Sequence, residues 1–290
     1  MSPATSISEG YSASASPDAP PVLELRGINK SFGPVHVLRD VDLTVRAGEV
    51  TALVGDNGAG KSTLVKCIGG IHPADSGSYL FEGQPVKVDS PRAAAELGVE
   101  IVYQDLALCD NLDIVQNMFL GRETTKRFVL DEVTMEQLAA DTLASLSVRT
   151  VTSVRQRVAS LSGGQRQTVA IAKAVLWNSK VVVLDEPTAA LGVAQTAQVL
   201  ELVRRLADKG LAVVLISHNM NDVFAVADRI AVLYLGRMTA QVSTSDVTHS
   251  QVVELITTGR GAATRREAPD EPNGTAGADG TSEWKNGERP

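Results

Sequence analysis

The stretch GDNGAGKST at 55–63 carries the residue types and the spacing of a phosphate cradle. Gly55, Asp56, Asn57, Gly58, Ala59, Gly60, Lys61 and Ser62 match the pattern G-x-x-x-x-G-K-[ST], and Thr63 follows. Glycines let the backbone curl until several amides point at β- and γ-phosphates. Lys61 adds a positive charge there, and Ser62 offers a hydroxyl oxygen to Mg²⁺. The apolar run TALV at 51–54 predicts a strand before the loop, and a helix is predicted over 64–68, ended by Gly69 and Gly70. That strand–loop–helix context is what gives the motif its meaning. A guanine-reading NKxD signal is missing, because Asn29-Lys30 runs on into Ser31-Phe32, so adenine is the expected base.

Two further elements fit the same chemistry. VVVLDE at 181–186 ends an apolar strand in two carboxylates, at the strand edge where α/β sheets gather their reactive groups. Asp185 is expected on Mg²⁺ or in its outer shell, and Glu186 is expected to face the attacking water as general base. His218 in LISHN ends another apolar run, LAVVLI at 211–216, where it would reach a γ-phosphate. The stretch LSGGQ at 161–165 is a second anion site in the making. A hydroxyl and two glycines sit at the start of a predicted helix whose Val169, Ala172 and Leu176 share one face.

The elements that must hold these groups are readable in outline. LELRGI (23–28) and VDLTV (41–45) alternate apolar and polar residues, the pattern of an antiparallel sheet wetted on one face. From Val50 onward the runs TALV, VVVL (181–184), LAVVLI and IAVLYL (230–235) are apolar throughout, which predicts parallel strands covered on both faces. Between about 105 and 165 strand signal fades, and DEVTMEQLAADTLASL (131–146) predicts a helix within a helical insertion. The Ser-, Ala- and Pro-rich residues 1–21 and the polar residues 261–290, with Trp284 as their large apolar exception, predict disordered tails around a folded unit of 22–260.

Composition narrows the functions available. A net charge of −7 gives no global field toward nucleic acid, and the longest apolar runs are far below the roughly 20 residues a membrane helix requires. No secretory signal is expected. Cys67 and Cys109 form no CxxC pair and read as free thiols, with Cys67 packed on its helix and without a redox role.

Taken in order, Phe32, the lysine loop, Gln104 in VYQD, LSGGQ, LDEPT and His218 resemble the nucleotide-binding subunits of ABC transporters, over nearly all of 22–260. The resemblance implies an α/β fold with a P-loop NTPase (RecA-like) core, an N-terminal antiparallel β subdomain and an inserted helical subdomain. It implies that Phe32 stacks on adenine, that Gln104 senses the γ-phosphate and Mg²⁺ beside Ser62 and Asp185, and that Glu186, His218 and Gln104 form the catalytic group. It further implies that Leu161, Ser162, Gly163, Gly164 and Gln165 close on ATP held by a second cassette, most simply another copy of this chain. Similar text occurs in ribose-, xylose- and fructose-type import ATPases, which implies an integral membrane permease, an extracytoplasmic sugar-binding protein and a peripheral place on the cytoplasmic face. An ABC-type ATPase acting as a regulator, or on ribosomes or DNA, is the alternative. Two departures stand out: Phe32 where Tyr is common, and Gly192 where many cassettes have Asp.

Overall fold

The computed structural model describes residues 20–148 and 151–260. The predicted tails, Trp284 included, lie outside these residues except for Pro20 and Pro21. The fold starts with β1 (Leu23–Phe32) and β2 (Val35–Val45), followed by β3 (Val50–Val54) and α1 (Lys61–Ile68). Next come β4 (Ser76–Phe81), β5 (Gln84–Val86), α2 (Pro91–Glu96) and β6 (Val99–Val102). The inserted region holds α3 (Ile114–Phe119), β7 (Thr125–Lys126), β8 (Val129–Leu130) and α4 (Glu132–Ser145). The chain returns through α5 (Gly163–Val175), β9 (Val181–Asp185), α6 (Val193–Asp208), β10 (Ala212–Ile216), α7 (Met220–Val226), β11 (Arg229–Tyr234), β12 (Arg237–Ser243) and α8 (His249–Thr258).

Two main sheets result. One is antiparallel, with order β2-β1-β4-β5; the other has order β12-β11-β3-β10-β9-β6 and is parallel except for β12. The apolar strands are sandwiched as their composition predicts. Val182, Leu184, Val213, Leu215 and Val232 turn toward a core shared with α3–α6. Their neighbours Val181, Val183, Val214, Ile216 and Leu233 turn toward a second core under α1 and the antiparallel sheet. Cys67 is buried in that second core, so packing accounts for it.

Three details differ from the sequence reading. The insertion is not wholly helical: β7 and β8 pair as a short hairpin whose turn residues Arg127 and Phe128 take φ of 51° and 68°. Leu235, read as the end of a strand, is a turn residue with φ 44° and is exposed. The β4–β5 hairpin extends the antiparallel sheet without a clean alternation, since β4 is exposed over its first half. The predicted helix at 131–146 is present as α4, with Asp131 accepting from the Thr134 amide at its start. Among the described residues no helix is long and apolar enough to cross a membrane.

Candidate active site

In the parallel sheet the C-terminal ends of β3, β10, β9 and β6 lie side by side. Ile216 pairs with Leu53 and with Asp185, and Val102 pairs with Leu184. The segments leaving these strand ends are therefore gathered at one edge: loop 55–63, Ser217-His218, Glu186 and Tyr103-Gln104. P-loop, carboxylates, histidine and glutamine thus leave neighbouring strand ends, from positions up to 163 residues apart in the chain.

Loop 55–63 packs too tightly for side chains at two of its glycines. A Cβ on Gly55 would stand 2.3 Å from the Leu233 carbonyl oxygen, and Gly60 caps α1 at φ 106°, a left-handed conformation that suits glycine. Ala59 is buried, its carbonyl accepts from the Gly236 amide (2.9 Å), and its own amide bonds the Asp56 carbonyl. The loop is thus braced from behind while Asp56, Asn57 and Gly58 remain exposed. Asp56 spends one carboxylate oxygen on the Asn57 amide (2.7 Å). Lys61 Nζ donates to the carbonyls of Gly55 (2.7 Å) and Asp56 (3.1 Å), so its ammonium stands over the loop it closes. Lys61, Ser62 and Thr63 form the first turn of α1, where amides lack helical partners. Backbone donors, a lysine and a hydroxyl on one loop and the helix start that follows it fit a nucleoside triphosphate.

The acids at the end of β9 differ in environment. Burial pushes the Asp185 carboxyl above its ordinary value; the Glu186 charge adds to this, while Lys61 and Lys66 pull the other way. Burial, followed by the charge of Asp185, likewise raises the Tyr103 phenol. A desolvated carboxylate at the end of β9 and an exposed serine hydroxyl at the start of α1 are the residue types that suit a divalent cation. Among the described residues no group of three or more His, Cys, Asp and Glu side chains could hold a metal ion. Glu186 adopts φ 51°, a conformation that costs a non-glycine residue roughly 1–3 kcal/mol and persists where the surroundings impose it. Its amide donates to the Ile216 carbonyl (3.0 Å), and its Oε2 lies 2.7 Å from His218 Nδ1. The carboxylate is largely covered and the imidazole mostly exposed, so the pair faces outward through the ring. Sequence reasoning placed both residues at strand ends but missed that they touch.

Phe32 ends β1 with its ring partly exposed; it forms a T-shaped contact with the His72 ring, and Lys30 Nζ lies 5.6 Å from its centroid. Gln104 is exposed two residues beyond β6. The loop after it is locked by fully buried Asn117, which accepts from the Cys109 amide and donates to the Cys109 and Asp113 carbonyls.

LSGGQ lies at the start of α5. Ser162 is the N-cap: its Oγ accepts from the Gln165 amide, and Gln165 Oε1 accepts from the Ser162 amide. Gly163 and Gly164 are the first helical residues, and the nearest atoms to a Cβ there belong to Leu191 and Gln195. Leu161 is buried in the larger core and anchors the turn. Arg166 forms an ion pair with Asp110 (3.0 Å), which ties the turn to the loop after Gln104.

The chain is similar to known proteins in sequence and in fold. The ABC transporter family model matches residues 38–189. A xylose/arabinose import ATP-binding protein of Sulfolobus acidocaldarius is 45% identical over 81% of this chain and 94% of its own length. A fructose import ATP-binding protein of Rhizobium meliloti is 46% identical, with 82% and 94% covered. A ribose import ATP-binding protein of Chromobacterium violaceum is 40% identical over 80% of this chain but 46% of its own length. Among solved structures, the ADP conformation of an ATP-binding cassette of an ABC transporter superposes with a TM-score of 0.70 at 26% identity, over 82% of this chain and 95% of that one. The chain belongs to the ABC transporter family, as one of its ATP-binding, ATP-hydrolysing cassettes.

Proposed function

We propose that this cassette energises a membrane importer of a monosaccharide by closing on ATP together with a second cassette. The observation that carries the reading is the convergence of loop 55–63, Asp185, Glu186, His218 and Gln104 at one sheet edge. The names of the relatives, import proteins for xylose or arabinose, fructose and ribose, supply the substrate class.

The mechanism is built from the groups present. Amides of the first turn of α1, Lys61 to Thr63, and the Lys61 ammonium bind the β- and γ-phosphates, and Phe32 stacks on the base. Ser62, Asp185 and Gln104 would hold Mg²⁺, which neutralises phosphate charge when bound. Glu186 accepts the proton of the attacking water. With Nδ1–H donating to Glu186, His218 donates an Nε2–H to the γ-phosphate when the ring carries both protons, and the ring steadies the carboxylate at its strained backbone position. Ser162, Gly163 and Gly164 present a hydroxyl and helix-start amides to the triphosphate of a second cassette, most simply another copy in a symmetric pair. Hydrolysis removes the bridging charge and the pair opens. Gln104, whose loop Asn117 and Arg166–Asp110 bind to the inserted region, passes that change to the permease.

In this reading the chain is a peripheral subunit at the cytoplasmic face, with 22–260 as its folded unit, no nucleic-acid partner, and a sugar-binding protein reached through the complex. Co-purification tests it. Expressed with its genomic neighbours, the chain should be retained with an integral membrane protein. Consistent recovery free of any membrane protein would defeat the transport reading.

A further inference from the structure

We propose that Asp222 is a positioning residue of the hydrolytic site, tying the loop that carries Glu186 to the loop that carries His218. This rests on the reading of Glu186 and His218 as the hydrolytic pair. Asp222 lies in the first turn of α7 and is 6% exposed. Its Oδ2 accepts from Thr188 Oγ1 (2.7 Å) and its Oδ1 from Asn219 Nδ2 (3.0 Å). Thr188 is two residues after Glu186, and Asn219 follows His218 directly. The carboxylate thus joins the loop after Glu186 to the loop after His218.

Helix capping alone does not explain this. An acid in that position of a capping box would receive the N-cap backbone amide. Here the Asn219 amide goes to Ser217 Oγ (3.0 Å), and the Asn219 side chain caps α7 by accepting from the Asn221 amide (3.0 Å). Asp222 is left to bind two side chains from two different loops. It does so at the cost of burying a charge, and among the described residues no Lys, Arg or His forms an ion pair with it. Glu186 needs such support. Its φ of 51° is imposed by its amide bond to Ile216 and by the short turn in which Ala189 and Leu191 donate back to the carbonyls of Glu186 and Thr188. The Thr188–Asp222 bond is the lateral tie that keeps this turn facing the histidine loop.

The test uses the full chain and reads ATP turnover separately from ATP affinity. Asp222→Ala removes the tie, and Thr188→Val removes one hydroxyl while keeping the side-chain shape. Misplacing a catalytic group by an ångström costs on the order of 100-fold, so kcat should fall about 10- to 100-fold in each, with the Kd for ATP unchanged. Asp222→Asn can still accept from Asn219 and donate to Thr188 Oγ1, and Thr188→Ser keeps the hydroxyl; both should restore most of the turnover. In a His218→Ala background, Asp222→Ala should cost less than about twofold more, because residues acting as one unit are not additive. Fully additive losses, losses that follow ATP affinity or melting temperature, or near wild-type kcat in Thr188→Val would overturn the proposal. Should Asp222→Ala fail to fold, the Thr188→Val and Thr188→Ser pair still decides. Wild-type turnover in Glu186→Gln would instead overturn the reading of the pair and the proposal with it. Loss in Glu186→Gln with none in the Asp222 and Thr188 variants overturns the proposal alone.

Discussion

Glu186→Gln isolates one property of the site. Glutamine has the shape of glutamate, so it can hold φ 51°, the amide bond to Ile216 and the 2.7 Å contact with His218. What disappears is basicity. Removal of a general base typically costs 10²–10⁴-fold, about 2.7–5.4 kcal/mol of barrier at 1.36 kcal/mol per factor of ten. Nothing in loop 55–63 depends on this side chain, so ATP affinity should hold. Folding should hold as well, because the His218 ring is 74% exposed and an ion pair on such a group contributes about 0–1 kcal/mol. The assay is phosphate release at saturating ATP, beside equilibrium ATP binding and a melting curve. Light scattering on the same variant should show a dimer that accumulates with ATP and persists. Turnover within about threefold of wild type, at unchanged affinity, would refute Glu186 as the base.

Further expectations concern the two thiols, the acid beside the base and the departure at 192. Burial pushes the Cys67 thiol up to about 11, whereas Cys109 is only half-buried, so iodoacetamide at pH 8 should label Cys109 first and spare Cys67 until the chain unfolds. Equal labelling by mass spectrometry would contradict the packing. The Asp185 carboxyl lies above its ordinary value of 3.8 in the folded chain, so its ionisation opposes folding. Stability of the nucleotide-free chain should therefore drop as pH rises from that value through the folded one. Asp185→Asn should melt higher at pH 7, with the gain fading at acid pH; a lower melting temperature at pH 7 would reverse the sign argued here. Gly192 is the N-cap of α6 without a side-chain cap, and a Cβ there meets nothing within 4 Å. Gly192→Asp should add a few tenths of a kcal/mol and raise the melting temperature by about one degree, measured by calorimetry. A decrease would show that the cap cannot form.

What the sequence disclosed was local. Loop 55–63 could be read because all its donors are contiguous, and α4 and α5 because their caps and apolar faces lie within single stretches. The hairpin at 125–130 escaped because two-residue strands leave no alternation to count. Leu235 reads as strand in the sequence because its apolar side chain hides a backbone turned to φ 44°. The Gly163 and Gly164 pair read as phosphate donors alone, yet these glycines also let α5 approach Leu191 and Gln195.

The contact between Glu186 and His218 was hidden for a deeper reason. A strand with one wet face announces its register, because a slip of one residue would bury its polar side chains. β9 and β10 are apolar on both faces, so a slip would exchange Val183 for Val182 at little hydrophobic cost, and alternation cannot specify which residues pair. The register must be fixed at the strand ends. At the near end Lys180 and Val181 donate to the Gly98 carbonyl, and Ala212 donates to Lys180. Asp228 accepts from the Val50 amide (2.7 Å) and from Arg204 (2.8 Å), whose guanidinium also reaches the Gly48 carbonyl. At the far end Glu186 donates to Ile216, and the Thr188–Asp222–Asn219 bridge closes the edge. The polar residues flanking these featureless strands therefore set the alignment that brings a carboxylate from β9 against a histidine from β10.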